Sequence, residues 1–221
     1  MNGDHELEGN HMISYKLKTA PAVEPVTKDD AKAYMRVESA VTAEDTLITA
    51  LCVSARRQAE EYLGRALITQ TWEMFLDGIG CSLSPELIDA IEEATNSEFI
   101  PAAYRAIVVP RPPLQSITSI KYYDVDDVEA TWASSNYRLD TYSEPGRILL
   151  TAAGAWPENL RAQQSILVTF VAGYGAAATD VPDDIKTAIK QMVAHWYENR
   201  ESQEMPPEAK ITLAPYRVIQ I

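Results

Sequence analysis

Residues Val181–Glu201 read VPDDIKTAIKQMVAHWYENRE. The spacing predicts a helix. Asp180 is placed to cap it, Pro182 falls where the first turn tolerates a missing N–H, and Asp183 and Asp184 complement the positive end of the dipole. Ile185, Ala188, Ile189, Met192, Val193 and Trp196 follow the i, i+3, i+4 rule and form one apolar stripe. Lys186, Lys190, Gln191 and Glu198 fall mostly outside it. A helix this apolar on one side needs a partner surface. A matching stripe lies far upstream, where Leu47, Ile48, Leu51, Cys52, Ala55, Ala59, Tyr62 and Leu63 hold helical spacing across Ala43–Leu63. The two ends of the chain are therefore expected to meet, with an insertion between them. Leu47, Leu51, Ala55, Tyr62, Ile189, Val193 and Trp196 are the candidates for helix packing or for contact with a neighbouring subunit.

Working outward, Thr27-Lys28-Asp29-Asp30 carries a capping-box pattern and opens a short helix to about Arg36. Thr42-Ala43-Glu44-Asp45 repeats the signal for the long helix, and Gly64 is a natural C-cap. Met12–Val26, with Pro21 and Pro25, reads as an extended arm outside the core. At Ala66 the period changes to two. Ile68, Gln70, Trp72, Met74 and Leu76 alternate with their neighbours, and Gly78 and Gly80 end the strand. Further strands are expected at Ala106–Val109, Ile117–Tyr123, Val128–Trp132, Tyr137–Asp140, Arg147–Leu150 and Ser165–Val171. Asp126-Asp127 marks a hairpin tip and Pro145-Gly146 a turn. Ser84–Asn96 is acidic and reads as a surface excursion with a short helix. Regular strands with no helices between them give a small antiparallel sheet or barrel.

The expected fold class is α+β: a helical part formed by the N-terminal helices and the C-terminal helix, with an inserted small antiparallel β region. The expected segments are a cloning leader at 1–11, an arm and helices at 12–65, the β insertion at 66–180, the C-terminal helix at 181–203 and a flexible tail at 204–221. The tail is too short for a core of its own. Behind Pro206-Pro207 it carries Leu213, Tyr216, Arg217, Val218, Ile219 and Ile221, apolar enough to fold onto a neighbour.

Length and composition set limits on function. The 221 residues are 46% hydrophobic, enough for a real core, and carry a formal net charge of −13. That balance disfavours sequence-independent nucleic-acid binding, which needs Lys and Arg against phosphates. Of the two cysteines, Cys52 sits on an apolar helix face and Cys81 in a loop, so no disulfide framework is expected and a reducing compartment fits. No apolar run approaches the ~20 residues of a membrane-spanning helix, and no secretory signal is visible.

Catalytic patterns do not emerge from the sequence. His195 is the one histidine beyond the leader. His195-x-x-Glu198 is half of a metal-binding pattern that no second motif completes, so it reads as a surface or interface histidine. There is no Gly-x-Ser-x-Gly, phosphate-binding loop or dinucleotide fingerprint. Gly173-Tyr174-Gly175 reads as a turn. Trp72, Tyr122, Tyr123, Trp132 and Tyr137 read as sheet core and cross-strand pairs; a carbohydrate-stacking surface is the alternative for the same rings. No enzyme, metal site or cofactor is expected.

Several stretches carry a more specific likeness: Thr27–Lys32 with Arg36-Val37; Ala59–Trp72; Pro110–Leu114 with Ile117 and Ile120; Val168–Phe170 with Ala172–Gly175; Ala194–Glu201; and Leu213–Val218. In order and content the chain resembles the head–tail connector (adaptor) proteins of long-tailed bacteriophages and gene transfer agents, over about Thr27–Val218. The runs Tyr62-x-Gly64-Arg65-x-Leu67-x-x-Gln70-x-Trp72 and His195-Trp196-Tyr197-Glu198-Asn199-Arg200 are its most specific parts. The resemblance implies a non-enzymatic virion component at the head–tail junction, made in the bacterial cytoplasm. It implies a ring of about a dozen copies beneath the portal protein, a platform for a stopper or tail-completion protein, and DNA passing through without specific binding. It also implies that the C-terminal segment docks into the portal. The acidic stretch at 82–98 is longer than the pattern leads one to expect. A stopper or tail-completion protein of the same junction is the alternative, though two long helices closing on each other argue against a mostly β protein.

Overall fold

The computed structural model describes residues 13–78, 106–200 and 204–218. Within these, the helices are α1 (Lys28–Met35), α2 (Asp45–Leu63), α3 (Asp183–Glu198) and α4 (Pro207–Leu213). The strands are β1 (Ile13–Thr19), β2 (Gln70–Leu76), β3 (Ala106–Val109), β4 (Leu114–Tyr123), β5 (Glu129–Thr131), β6 (Tyr137–Asp140), β7 (Gly146–Leu150) and β8 (Ile166–Ala172). The α+β expectation holds, and the chain ends do meet. The stripes of α2 and α3 face each other, burying Ile48, Leu51, Ala55, Ala59 and Leu63 against Ile185, Ala188, Ile189, Val193 and Trp196. The alanines, fully buried, let the helix backbones approach closely.

Helix starts follow the sequence in part. Thr27 caps α1 as a capping box: the Asp30 amide donates to its hydroxyl at 3.1 Å, and the Thr27 amide donates back to the Asp30 carboxylate at 3.0 Å. The expected Thr42 box does not form; Glu44 stands at the N-cap of α2 and makes no side-chain cap bond. Asp180 does not cap α3 either. Its carboxylate accepts from the Ala177 amide at 2.9 Å in the preceding turn, and Pro182 takes the cap position. Gly64 ends α2 at φ 68°, a left-handed value glycine adopts at little cost.

The β residues form two antiparallel sheets, one of five strands ordered β1-β2-β8-β4-β5 and one of three ordered β3-β7-β6. Between them lies a second core, including Met74, Ile107, Val109, Leu114, Ile120, Ile148, Val168 and Phe170. In register, Trp72 faces Phe170 and Met74 faces Val168 across β2 and β8. The tip expected at Asp126-Asp127 joins β4 to β5. The strand expected at Ile117 begins earlier, at Leu114. Ser84–Asn96 and Cys81 lie outside the described residues.

The stretch Met12–Val26 corrects its sequence reading. Residues Ile13–Thr19 are not a loose arm but the edge strand β1, paired antiparallel with β2. Val26 is fully buried in the helical core. The alternation of Ile13, Tyr15 and Leu17 with Ser14, Lys16 and Lys18 is a period-two signal, which the nearby prolines at 21 and 25 masked.

Ile189 has no exposed surface. Ile189→Ala is expected to lower unfolding free energy by about 2–5 kcal/mol, the range for deleting a buried isoleucine side chain to Cβ. Urea denaturation should show a lower midpoint with an unchanged slope.

Candidate assembly surfaces

At the C-terminal turn of α2, charged side chains enter the interior and join the two layers. Glu60 is buried. Its carboxylate accepts from Arg56 at 2.5 Å, from the Leu67 amide at 2.9 Å and from the Gln70 side chain. Arg56 also donates to Glu24 at 2.7 Å. Burial pushes the Glu24 carboxyl above its usual range, against the pull of Arg56. Arg111, between β3 and β4, donates to the Glu60 carbonyl at 3.0 Å and to the Glu61 carboxylate at 2.6 Å. Its guanidinium lies 5.4 Å from the ring centroids of both Tyr15 and Trp72. Arg111 holds a left-handed φ of 61°, a strained value for a side chain of this size, and these contacts offset it.

The tail attaches to the same turn. Pro206 precedes α4, which packs on α3 and buries Ala209 and Leu213 in the helical core. Arg65 donates to the Tyr216 carbonyl and to Glu144. The Val218 amide donates to the Leu63 carbonyl at 2.9 Å, and the Tyr216 hydroxyl to Asp184 at 3.0 Å. Arg217 stacks over Tyr62 at 5.4 Å. This corrects the expectation of a free tail: residues 207–218 fold onto their own subunit. Leu213 is an internal anchor and offers nothing to a partner. Tyr216 and Val218 are half-buried, Arg217 is exposed, and Ile219 and Ile221 lie outside the described residues.

The candidate helix residues are likewise committed inside the subunit. Leu51, Ala55, Ile189, Val193 and Trp196 are buried between α2 and α3, and Leu47 and Tyr62 pack at their margin. The first five are helix-packing residues with no free surface, whereas Leu47 and Tyr62 stay partly exposed. The His195–Arg200 run closes the helical layer: Trp196 donates to the Glu204 carbonyl at 2.8 Å, and Tyr197 and Arg200 both donate to Glu44 at the start of α2.

Among the described residues no group of three or more His, Cys, Asp or Glu is placed to hold a metal ion. Cys52 is buried, and burial pushes its thiol up to about 12, so it carries no thiolate at neutral pH. Trp132 is buried and stacks on Tyr137 at 5.1 Å and on Trp156 at 4.8 Å, so it offers no open face on which a sugar could stack.

What remains on the surface is a set of exposed apolar side chains on ordered elements. Ile13, Tyr15 and Leu17 line one side of β1; Val125 and Val128 stand at the β4–β5 turn. Tyr142, 99% exposed, projects from the β6–β7 turn. That turn is held by Asp140, which accepts from the Tyr142 and Ser143 amides, the Ser143 hydroxyl and Arg147. These bonds hold the Asp140 carboxyl far below the usual carboxylate range. Sequence reading gave no role to Tyr142 or the β1 stripe, and quoted Arg111 only as part of the Pro110–Leu114 run; of these, only the stripe had a periodic signal.

Residues 24–206 match the head completion protein family. The chain belongs to that family. Three solved structures share its fold over nearly the whole length. A chain from the neck of an empty gene transfer agent (GTA) particle computed with C6 symmetry superposes at TM-score 0.70 with 16% identity, covering 94% of this chain and 97% of that one. A chain from the virion of a native GTA particle gives 0.66 at 18% identity, over 94% and 96%. A chain from the neck of a native GTA particle computed with C12 symmetry gives 0.63 at 18%, over 93% and 97%. No curated protein sequence matches. The connector resemblance drawn from the motifs is thus matched at the level of the family.

Arg65→Ala is expected to loosen the tail without unfolding the protein. Trypsin should then cut after Arg217 several-fold faster than in the unaltered chain, while the thermal midpoint falls by only a few degrees. Equal cleavage rates would show that Arg65 does not hold the tail.

Proposed function

We propose that this protein is a structural component of the head–tail junction of a phage or gene transfer agent particle. In that role it forms an adaptor ring beneath the portal. The observation that carries the reading is the agreement between the family match over residues 24–206 and a near full-length likeness in fold to chains of GTA necks. The interior supports it as well. Its buried charges join α2, the sheets and the tail to one another, and none is presented to a substrate. A net charge of −13 suits a ring through which DNA slides without adhering. The helical layer favours an adaptor over a stopper or tail-completion protein, which remain its partners above or below. Carbohydrate binding is disfavoured by the filled Trp132 stack. The portal protein, further copies of this chain and a stopper are the partners of this reading.

The tail is the portal-facing element of the proposal, in altered form. Leu213 anchors α4, so the docking surface is the outer face from Ile211 to Val218 with the residues beyond it. Ile211 is 74% exposed on that face. Removing 206–221 would take Ala209 and Leu213 out of the core and unfold part of the helical layer. Removing 214–221 spares both.

The 214–221 truncation should remain folded, with a thermal midpoint within a few degrees of the full chain, and should fail to join DNA-filled heads to tails in a complementation assay. Attachment at the full-length level would remove the tail from the mechanism.

A further inference from the structure

The two edges of the five-stranded sheet are unlike each other, and each carries what the other lacks. β1 is one edge and β5 the other. On β1, Ile13 lies opposite Leu76, Tyr15 opposite Met74 and Leu17 opposite Trp72. Directly opposed residues share a face, so this stripe continues the face on which Met74 and Leu76 are buried. Yet Ile13 is 56% exposed, and Tyr15 and Leu17 are each 40% exposed. Among the described residues no second strand pairs with β1.

An open, apolar edge is a template for strand pairing, and charges on it select the partner. The alternate residues Lys16 and Lys18 both reach Glu73, at 3.1 and 3.0 Å, leaving two lysines against one carboxylate. Two β1 strands paired antiparallel would set these lysines against one another. An acidic strand is admitted instead.

The opposite edge has that composition. Around the β4–β5 turn, Val125 is 66% and Val128 58% exposed. They are interleaved with the exposed acids Asp126, Asp127 and Glu129, of which Asp127 pairs with Arg161 at 3.0 Å; with Asp124 the four carboxylates still outnumber Arg161 and Lys121. The hairpin is also stiff: Asp124 accepts from the Asp126 and Val128 amides, each at 2.9 Å, and Lys121 ties Glu129 at 2.6 Å. A stiff hairpin loses little conformational freedom on docking. Ring closure needs two different patches on each subunit, and an edge-to-edge contact supplies both from one sheet.

We propose that the β1 edge of one subunit receives the acidic β4–β5 hairpin of a second copy, so that the five-stranded sheets abut around the ring. This inference rests on the ring reading above. The test is disulfide trapping in the full chain carrying Cys81→Ser, which leaves the buried Cys52 as background. Leu17→Cys and Val128→Cys are made singly and together and oxidised at concentrations where light scattering reports association, alone or with the portal protein.

The mixed single variants should give a cross-linked dimer and nothing larger. The double variant should give a ladder of dimer, trimer and higher species. Leu17→Glu should weaken association by about tenfold, as loss of one central apolar contact does, with circular dichroism and thermal midpoint showing an intact fold. Homodimers of Leu17→Cys alone would show β1 pairing with itself and overturn the inference. Rings that form without the Leu17–Val128 link and tolerate Leu17→Glu would also overturn it, while leaving the ring reading in place. A chain that stays monomeric at every concentration and with the portal would overturn both.

Discussion

A carboxylate buried at the end of a helix organises this protein. Glu60 could not sit inside without donors, since an unpaired buried charge costs several kcal/mol. The donors it recruits come from three directions: Arg56 from its own helix, the Leu67 amide from the connection and Gln70 from the first residue of β2. One side chain thus fixes how the helical layer hands over to the sheet. Arg111 repeats the device from the other side, reaching back from the β region to the Glu60 carbonyl and to Glu61. Arg65, one residue past the C-cap glycine, brings in the tail. Helices, sheets and tail are fastened within six residues of chain, Glu60 to Arg65.

That arrangement explains the motifs. In the run from Tyr62 to Trp72, Gly64 supplies the left-handed turn, Arg65 holds the tail, Gln70 satisfies Glu60, and Trp72 lies under Arg111. In the run from His195 to Arg200, the aromatic and basic residues tie the end of α3 to Glu44 at the start of α2. Both motifs are fasteners. A protein whose most distinctive residues hold its own parts together, and whose exposed apolar groups stand on ordered edges and turns, is built to be a rigid piece of a larger assembly.

Much of the fold was legible because it depends on local periodicity. The stripes of α2 and α3, the capping box at Thr27 and the alternation after Ala66 each follow from spacing alone. The misses share a different cause. β1 alternates properly, but its apolar face is half-exposed and prolines follow it, so its strand character depends on β2 being there. Asp180 and Thr42 have the right chemistry for caps, yet the turn at Ala177 and the geometry at Glu44 claim those positions. The tail looked free because the groups that hold its end, Leu63 and Arg65 at the C-terminus of α2, lie far off in sequence. Of the candidate site residues on the helices, Leu51, Ala55, Ile189, Val193 and Trp196 are core and Leu47 and Tyr62 lie at its margin, since an apolar stripe does not state whether its partner is its own chain or another. Tyr142 had no signal at all; its exposure depends on the Asp140 turn.

A ring of this chain at the junction of head and tail, as proposed, would be visible in the particle itself. Cryo-electron microscopy of purified particles, with a small fusion tag on the chain, tests it most directly. A ring of tagged density should then lie between the head and the tail, with the two-layer fold docking into it. Particles whose neck lacks the tag, or in which the tag lies elsewhere, would contradict it.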